Sequence, residues 1–154
     1  ELLGQAGYPG PRLAFSRLEG YLKGFIDLVF EHQGRFYILD WKSNHLGFAA
    51  ADYDAGPVGN AMSDHGYHLQ YLLYTVALDR YLQRRIPGYR YETHFGGVLY
   101  LFVRGIRPAW RNSDGTAAGV YAHVPPREAI RQLNALFGAQ AHAAAGRTAA
   151  EVAR

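Results

Sequence analysis

The sequence predicts an α/β fold in which helices pack against a mixed β-sheet. Three observations carry this prediction. Short apolar runs typical of strands lie on both sides of one long helical segment, and turn-forming residues separate most of these runs. Hydrophobic residues make up 49% of the 154-residue chain, which is ample for the core of one domain. The predicted order is strand, strand, helix, strand, strand, helix.

The first part of the chain predicts a loop that leads into a β-hairpin. Residues 1–18 are rich in glycine and proline and are interpreted as a linker or loop, ending in a short strand from Leu13 to Leu22. The hairpin is expected over residues 22–42, with Gln33 and Gly34 as a two-residue turn. A three-residue loop with Gly34 in the left-handed conformation is the alternative, and it would shift the strand register by one residue.

The two-residue turn would set Asp27 directly opposite Asp40 and Phe25 opposite Lys42. Opposed side chains lie about 5 Å apart, which is close enough for two carboxylates to bind one cation. Lys42 would return to the face of Asp40 because side chains alternate along a strand. Opposed like charges destabilise a hairpin, so the pair predicts a compensating metal ion. The alternative interpretation is that both acids are polar residues at strand ends and that Lys42 is a solvated neighbour.

The basic residues of the chain favour a specific role for Lys42. Only two of the sixteen basic residues are lysine, Lys23 and Lys42, and the other fourteen are arginine. An ammonium group can lose solvation, shift its pKa and orient or activate a water molecule, and guanidinium does this poorly.

The middle of the chain predicts a loop and then the longest helix. Residues 43–63 are rich in Gly, Ala, Asp and Asn without a sustained period, which indicates a long, mobile loop beside the two acids. The helix is expected from Asp64, as N-cap, to about Arg85, and Pro87 with Gly88 stops it.

The remaining elements are a strand, a loop, a strand and a helix. The apolar run from Phe95 to Arg104 predicts a buried strand beside the hairpin, bounded by the glycines at 96–97 and 105. Residues 106–118 predict a polar loop, and residues 120–124 predict a further short strand. Pro125 and Pro126 open a helix that reaches about residue 137. The Ala-rich tail from residue 139 to 154 is helical or frayed and carries no visible chemistry.

The long helix carries Gln70 and Tyr74 four residues apart, and therefore on one face. A buried amide must find partners, so Gln70 near a metal site could hold a water or a phosphate oxygen, with the Tyr74 hydroxyl holding another. Its aromatic neighbours, including Tyr67 and Tyr71, are typical of packing onto a sheet. His65 and His68 could bind a metal, but we interpret them, like His32 and His94, as ordinary surface residues.

The charge, the cysteine content and the length of the apolar runs exclude few classes of protein. A formal charge of +3 and a pI near 9.2 fit a partner that carries phosphates without establishing one. The absence of cysteine excludes disulfides and thiolate metal sites, and no apolar run reaches the roughly 18 residues of a membrane span. A cytoplasmic location is the default expectation. Because the chain begins at Glu1 without a signal-peptide pattern, we expect it to be part of a longer protein.

Four blocks of the sequence resemble, in order and spacing, the nuclease domain at the C-terminal end of RecB, the helicase–nuclease subunit of bacterial RecBCD. The resemblance covers roughly residues 18–137. The blocks are residues 24–30, Gly-Phe-Ile-Asp-Leu-Val-Phe; 39–44, Leu-Asp-Trp-Lys-Ser-Asn; 69–75, Leu-Gln-Tyr-Leu-Leu-Tyr-Thr; and 94–105, beginning His-Phe-Gly-Gly. The resemblance implies a restriction-endonuclease-like PD-(D/E)xK fold, truncated at the N-terminus.

The resemblance also implies roles for individual residues. Asp27, Asp40 and the backbone carbonyl of Trp41 would bind a divalent cation, Mg²⁺, for which Mn²⁺ or Ca²⁺ could substitute in binding. Lys42 would orient or activate the attacking water. Gln70 and Tyr74 would match a Gln-x-x-x-Tyr motif associated with the active site and DNA. The RecB family also uses an upstream histidine as a metal ligand, and none of the 26 residues before Asp27 is histidine.

The leading hypothesis is a DNA exonuclease domain, residues 1–138, followed by a tail at 139–154. It would serve double-strand-break repair and degradation of linear DNA in the bacterial cytoplasm, near the nucleoid, with RecC- and RecD-like subunits. The alternative is a catalytically weak fragment that docks the RecA recombinase or partner subunits. A third possibility is a nuclease-fold protein of a different repair system.

Overall fold

The structure is a computed structural model that describes residues 23–137. The linker and strand predicted before residue 23, and the tail predicted after residue 138, lie outside the described residues. The described part contains one four-stranded sheet in the order β1-β2-β3-β4, with β2 and β3 parallel and the outer pairs antiparallel. The strands are β1 (Leu28–His32), β2 (Arg35–Lys42), β3 (Phe95–Phe102) and β4 (Val120–His123).

The hairpin forms with the predicted two-residue turn. Gln33 and Gly34 both have positive φ, at 52° and 77°, which is the backbone of a type I′ turn. The Glu31 carboxylate accepts a 2.6 Å hydrogen bond from the Gly34 N–H. The paired residues run from His32 opposite Arg35 to Leu28 opposite Leu39. This is the predicted register, and the three-residue alternative is wrong.

In residues 23–137, four helices accompany the sheet, together with a 3₁₀ turn at Ala50–Tyr53. They are α1 (Ala55–Asp64), α2 (Tyr67–Arg85), α3 (Tyr91–His94) and α4 (residues 127–137). No helix among the residues described is long and apolar enough to cross a membrane.

The predicted loop at residues 43–63 is wrong for its second half. The 3₁₀ turn and α1 form there because the side chains of Tyr53, Val58 and Met62 are almost fully buried. Their spacing places apolar side chains against the core despite the Gly- and Ala-rich composition around them. Asp64 is the last residue of α1 and does not cap α2. The break between the two helices lies at Gly66, whose φ of 67° favours glycine.

The remaining predicted elements are confirmed with small shifts of their bounds, and the short α3 was not predicted. The glycines at 96 and 97 lie inside β3 and do not bound it. A Cβ at Gly96 would lie 2.2 Å from Cζ of Tyr37, so this glycine makes room for the tyrosine ring. The same place holds the irregularity in the β2–β3 register, next to Phe36 and Tyr37.

The core lies between α2 and one face of the sheet. Alternation along β2 places Ile38, Asp40 and Lys42 on the face that meets α2, and all three are buried. The core residues with essentially no exposure in β3 and α2 are Val98, Tyr100, Phe102 and Tyr71. The core-facing side chains of β2 therefore end with an acid, Asp40, and a lysine, Lys42.

The turn geometry predicts that Gln33→Asn stabilises the chain. Asparagine adopts positive φ more readily than glutamine, so the substitution should raise the free energy of unfolding by about 0.5 kcal/mol. Urea denaturation followed by circular dichroism would measure this. Gly34→Ala is the matched control and should lower stability, because φ at this position is also positive. Destabilisation by Gln33→Asn would contradict the assigned turn.

Candidate active site

The centre of the candidate site is an ion pair at the end of β2. Nζ of Lys42 lies 2.6 Å from Oδ1 of Asp40, and the two residues are only 8% and 4% exposed. Both stand on β2 where it pairs with β3, Asp40 opposite Tyr100 and Lys42 opposite Phe102, whereas the pairing with β1 ends at Leu39. The pairing with β3 therefore holds the backbone that carries the two charges.

Asp27 lies one residue before β1 and reaches the same end of β2. Its Oδ2 accepts a 2.9 Å hydrogen bond from the backbone N–H of Trp41. The hairpin register continued by one residue places it opposite Asp40, as predicted. Asp27 is exposed whereas Asp40 is buried, so the two acids meet in unequal surroundings.

The surroundings of Asp40 raise the pKa of its carboxyl. Burial is the main cause, because it penalises the charged form. The hydrogen bond and the positive charge of Lys42 act in the opposite direction, and the negative charge of Asp27 raises the pKa further. The net rise in the pKa of Asp40 therefore comes from burial, because the effect of Lys42 exceeds that of Asp27.

Helix α2 contributes Gln70 and Tyr74, as the sequence predicts. Oε1 of Gln70 accepts hydrogen bonds from Nζ of Lys42 at 2.9 Å and from the Tyr100 hydroxyl at 3.1 Å. Nε2 of Gln70 donates to the Tyr74 hydroxyl at 3.2 Å. The amide therefore links the lysine of β2 to tyrosines of α2 and β3. All five side chains proposed from the sequence lie at this end of the sheet.

Three further side chains at the site were not proposed as functional. Tyr100 is fully buried, and burial together with the Asp40 charge raises the pKa of its hydroxyl. The ring of Tyr67 lies 3.8 Å from Nζ of Lys42, and the Tyr67 hydroxyl donates to Oδ1 of Asn44 at 3.1 Å. Alternation along β3 could have indicated Tyr100, but nothing local to Tyr67 or Asn44 shows that they meet.

The histidines do not join the acids. His68 was expected at the surface, but it is buried, and its ring nitrogens contact the hydroxyls of Ser63 and Tyr71. Nδ1 of His94 accepts a hydrogen bond from the N–H of Arg90. Among residues 23–137, no cluster of three or more His, Cys, Asp or Glu side chains could hold a metal ion.

The donor set nevertheless fits a hard divalent cation. Mg²⁺ is commonly held by one or two carboxylates and completes its six positions with water and substrate phosphate. Asp27 and Asp40 are such a pair. Burial is the main cause of the raised pKa of Asp40 and the charge of Asp27 adds to it, so a cation between the two acids would favour the charged form of Asp40. The sequence also predicted the backbone carbonyl of Trp41 as a metal ligand. The backbone N–H of the same residue donates a hydrogen bond to Asp27.

Comparisons with known proteins identify the family. Residues 5–153 match the PD-(D/E)XK nuclease superfamily. The RecB subunit of the RecBCD enzyme of Escherichia coli K12 is 47% identical over 127 residues, which cover 82% of this chain and 10% of that protein.

Two further relatives, from other bacteria, have the same name. RecB of Haemophilus influenzae is 42% identical over 129 residues, 84% of this chain and 10% of the relative. RecB of Mycolicibacterium smegmatis is 44% identical over 135 residues, 84% of this chain and 12% of the relative. The chain thus spans about a tenth of the length of the curated relatives it matches.

These matches confirm the resemblance to the RecB nuclease domain and the restriction-endonuclease-like fold class, to which the mixed sheet with flanking helices conforms. The matched range runs past residue 138, and the boundary between domain and tail stays a prediction. Nucleases of this family depend on divalent metal ions. The chain belongs to the PD-(D/E)XK nuclease superfamily.

Proposed function

We propose that this chain is a DNA exonuclease domain that hydrolyses phosphodiester bonds within a RecBCD-type helicase–nuclease. The observation that carries the proposal is the convergence of Asp27, Asp40 and Lys42 at one end of the sheet, with Gln70 bound to the lysine. The work of the complete protein would be degradation of linear DNA and repair of double-strand breaks.

Asp27, Asp40 and the Trp41 carbonyl would hold Mg²⁺, with Mn²⁺ or Ca²⁺ able to replace it in binding. When bound, such a cation supplies Lewis acidity that polarises a phosphoryl oxygen and makes water a stronger acid. Oxygen ligands favour Mg²⁺ over softer metals, and the described residues offer no histidine beside the acids.

Lys42 would orient the attacking water and stabilise negative charge on the phosphate. Its ammonium is fixed between Asp40 and Gln70, so the positive charge has one defined position. The water oxygen loses a proton and forms a bond to phosphorus, and the bond from phosphorus to the leaving deoxyribose oxygen breaks. The leaving oxygen takes up a proton from solvent, so that one water molecule is consumed for each bond cleaved. Gln70 and Tyr74 would contact the phosphate or its water through the amide and the hydroxyl.

Removing the buried acid should abolish cleavage. We expect Asp40→Ala in the full-length protein to lower the rate of DNA hydrolysis by more than about a hundredfold, because the cation loses a ligand. The measurement is release of nucleotides from end-labelled linear DNA with Mg²⁺. DNA unwinding should stay unchanged, and loss of unwinding together with cleavage would contradict a local role for Asp40.

Lys42→Arg tests the need for an ammonium group. Guanidinium is planar and bulkier and cannot take the same place between Asp40 and Gln70, so we expect cleavage to fall about a hundredfold. The same nucleotide-release assay measures it. Lys23→Arg is the matched control, since Lys23 is exposed and is the other lysine of the chain. Near-normal cleavage by Lys42→Arg would remove Lys42 from the mechanism.

Metal binding can be measured without cleavage. Isothermal titration of Mn²⁺ into the 154-residue chain should show binding that Asp27→Ala and Asp40→Ala together remove, because both oxygen donors are lost. Asp54→Ala, at the C-terminal end of the 3₁₀ turn, is the control and should bind like the wild type. Equal binding by the double variant would place the cation elsewhere.

Gln70→Ala should impair cleavage by a smaller factor. The substitution leaves the Lys42 ammonium and the Tyr100 hydroxyl without their shared acceptor, so we expect kcat to fall about tenfold. Gln132→Ala is the control, because the Gln132 amide donates to the exposed Glu128 and makes no other hydrogen bond within the described part of the chain. Cleavage by Gln70→Ala equal to that of Gln132→Ala would assign Gln70 a role in packing alone.

The proposed partners and location rest on the similarity of this chain to RecB. DNA, RecC- and RecD-like subunits and a bacterial cytoplasmic location near the nucleoid are proposed because the relatives are subunits of RecBCD. Docking of RecA is proposed from the resemblance alone. Co-purification of the full-length protein with each candidate would test these partners.

A further inference from the structure

We propose that Tyr67 is a positioning residue of this site, whose ring face holds the Lys42 ammonium where it meets Asp40 and Gln70. The inference rests on the proposed function in one respect, since Lys42 is taken as the amine that acts in hydrolysis. Neither the family match nor the relatives assign Tyr67 a role.

The ammonium group of Lys42 is enclosed by four contacts. Two are hydrogen bonds to oxygen, at 2.6 Å to Asp40 and 2.9 Å to Gln70. The other two are aromatic rings, with centroids 3.8 Å away for Tyr67 and 4.9 Å away for Tyr100. Two of the three N–H groups of the ammonium are donated to oxygen, and the Tyr67 ring attracts the positive charge through its electron-rich face, which does not take up the third N–H.

Tyr67 is itself held in place from several directions. Its hydroxyl donates to Asn44, two residues beyond Lys42, so the tyrosine bridges α2 to the segment that follows β2. Its ring stacks on His65, with centroids 5.3 Å apart and planes 24° apart. It also contacts the Tyr100 ring at 5.9 Å. A ring fixed in this way can fix a charge placed against it.

A lysine needs such a restraint more than the carboxylates do. Its four-carbon stem carries rotamer freedom that must be lost before the ammonium occupies one position. The hydrogen bonds to Asp40 and Gln70 restrain it from two directions. The Tyr67 ring closes a third direction, and the ammonium is therefore positioned before any substrate arrives.

The simpler interpretation is that Tyr67 only fills space where α2 meets the sheet. The two interpretations differ in what they require of the side chain. Packing is served by any apolar side chain of similar size, whereas holding a cation requires an aromatic face. Tyr67→Phe keeps that face and loses the hydroxyl bond to Asn44, and Tyr67→Leu loses the face.

The two lysines of the chain allow a direct test by NMR. In the metal-free 154-residue chain labelled with ¹³C,¹⁵N-lysine, the ring currents of Tyr67 and Tyr100 should move the Lys42 side-chain signals upfield of those of Lys23. Within residues 23–137, the reference lysine contacts one ring, that of Phe25, at the longer distance of 5.3 Å. Nuclear Overhauser contacts between the Lys42 ε-protons and the Tyr67 ring should appear in the wild type, and their absence would overturn the proposal without any variant.

The variants then separate positioning from packing. Tyr67→Leu should move the Lys42 signals toward those of Lys23, and Tyr67→Phe should leave them close to the wild type. In the full-length protein, Tyr67→Leu should lower kcat for DNA hydrolysis about tenfold with KM unchanged, and Tyr67→Phe should rescue it to within about twofold. Tyr81→Leu is the matched control, since Tyr81 is an exposed tyrosine of the same helix that contacts Arg85.

Each result has one meaning for the proposal. Unmoved Lys42 signals in Tyr67→Leu, or Tyr67→Phe as impaired as Tyr67→Leu, would overturn the positioning role. The NMR measurement uses neither metal nor DNA, so its success together with an inactive full-length protein would sink the proposed nuclease function and leave the positioning role standing.

Discussion

The structure of the site depends on one buried ion pair, Asp40 with Lys42. Two charges on a central strand lose most of their hydration, and their mutual attraction offsets that loss only when further polar groups complete the site. Gln70 and the rings of Tyr67 and Tyr100 complete it for the lysine. Removing one partner leaves the other charged and buried, which is far more costly than the loss of a surface pair.

The parallel pairing of β2 with β3 explains how these partners reach the lysine. A parallel pair requires a long crossover, and this one contains α1 and α2. The crossover lays α2 over the sheet, so that Gln70 approaches from the helix while Tyr100 approaches from the neighbouring strand, where it pairs with Asp40. The network is therefore a consequence of topology, since its members are up to 73 residues apart in sequence numbering, from Asp27 to Tyr100.

The two acids differ in a way that matters for binding a cation. Asp40 is buried, and burial raises the pKa of its carboxyl although the Lys42 ammonium acts in the opposite direction. Asp27 is exposed and tied to the strand end through the Trp41 N–H. Under the proposed function, Asp40 would therefore be the buried ligand, and Asp27 would be the ligand at the solvent boundary, from which metal and phosphate would enter.

The sequence by itself predicted the hairpin and the residues of the acidic centre, because these depend on neighbours along the chain, and the structure decided between the two possible registers. The two-residue turn at Gln33 and Gly34 fixes the strand register. The alternation of side chains along each strand then places Asp27, Asp40 and Lys42 on one face of the sheet. The four-residue spacing likewise placed Gln70 and Tyr74 on one helical face. Only the tertiary structure decided that Asp40 is buried while Asp27 is exposed, that α1 forms within a Gly- and Ala-rich segment, and that Tyr67 lies against Lys42. Burial and contact between distant segments depend on how α2 crosses the sheet, and no local pattern encodes that crossing.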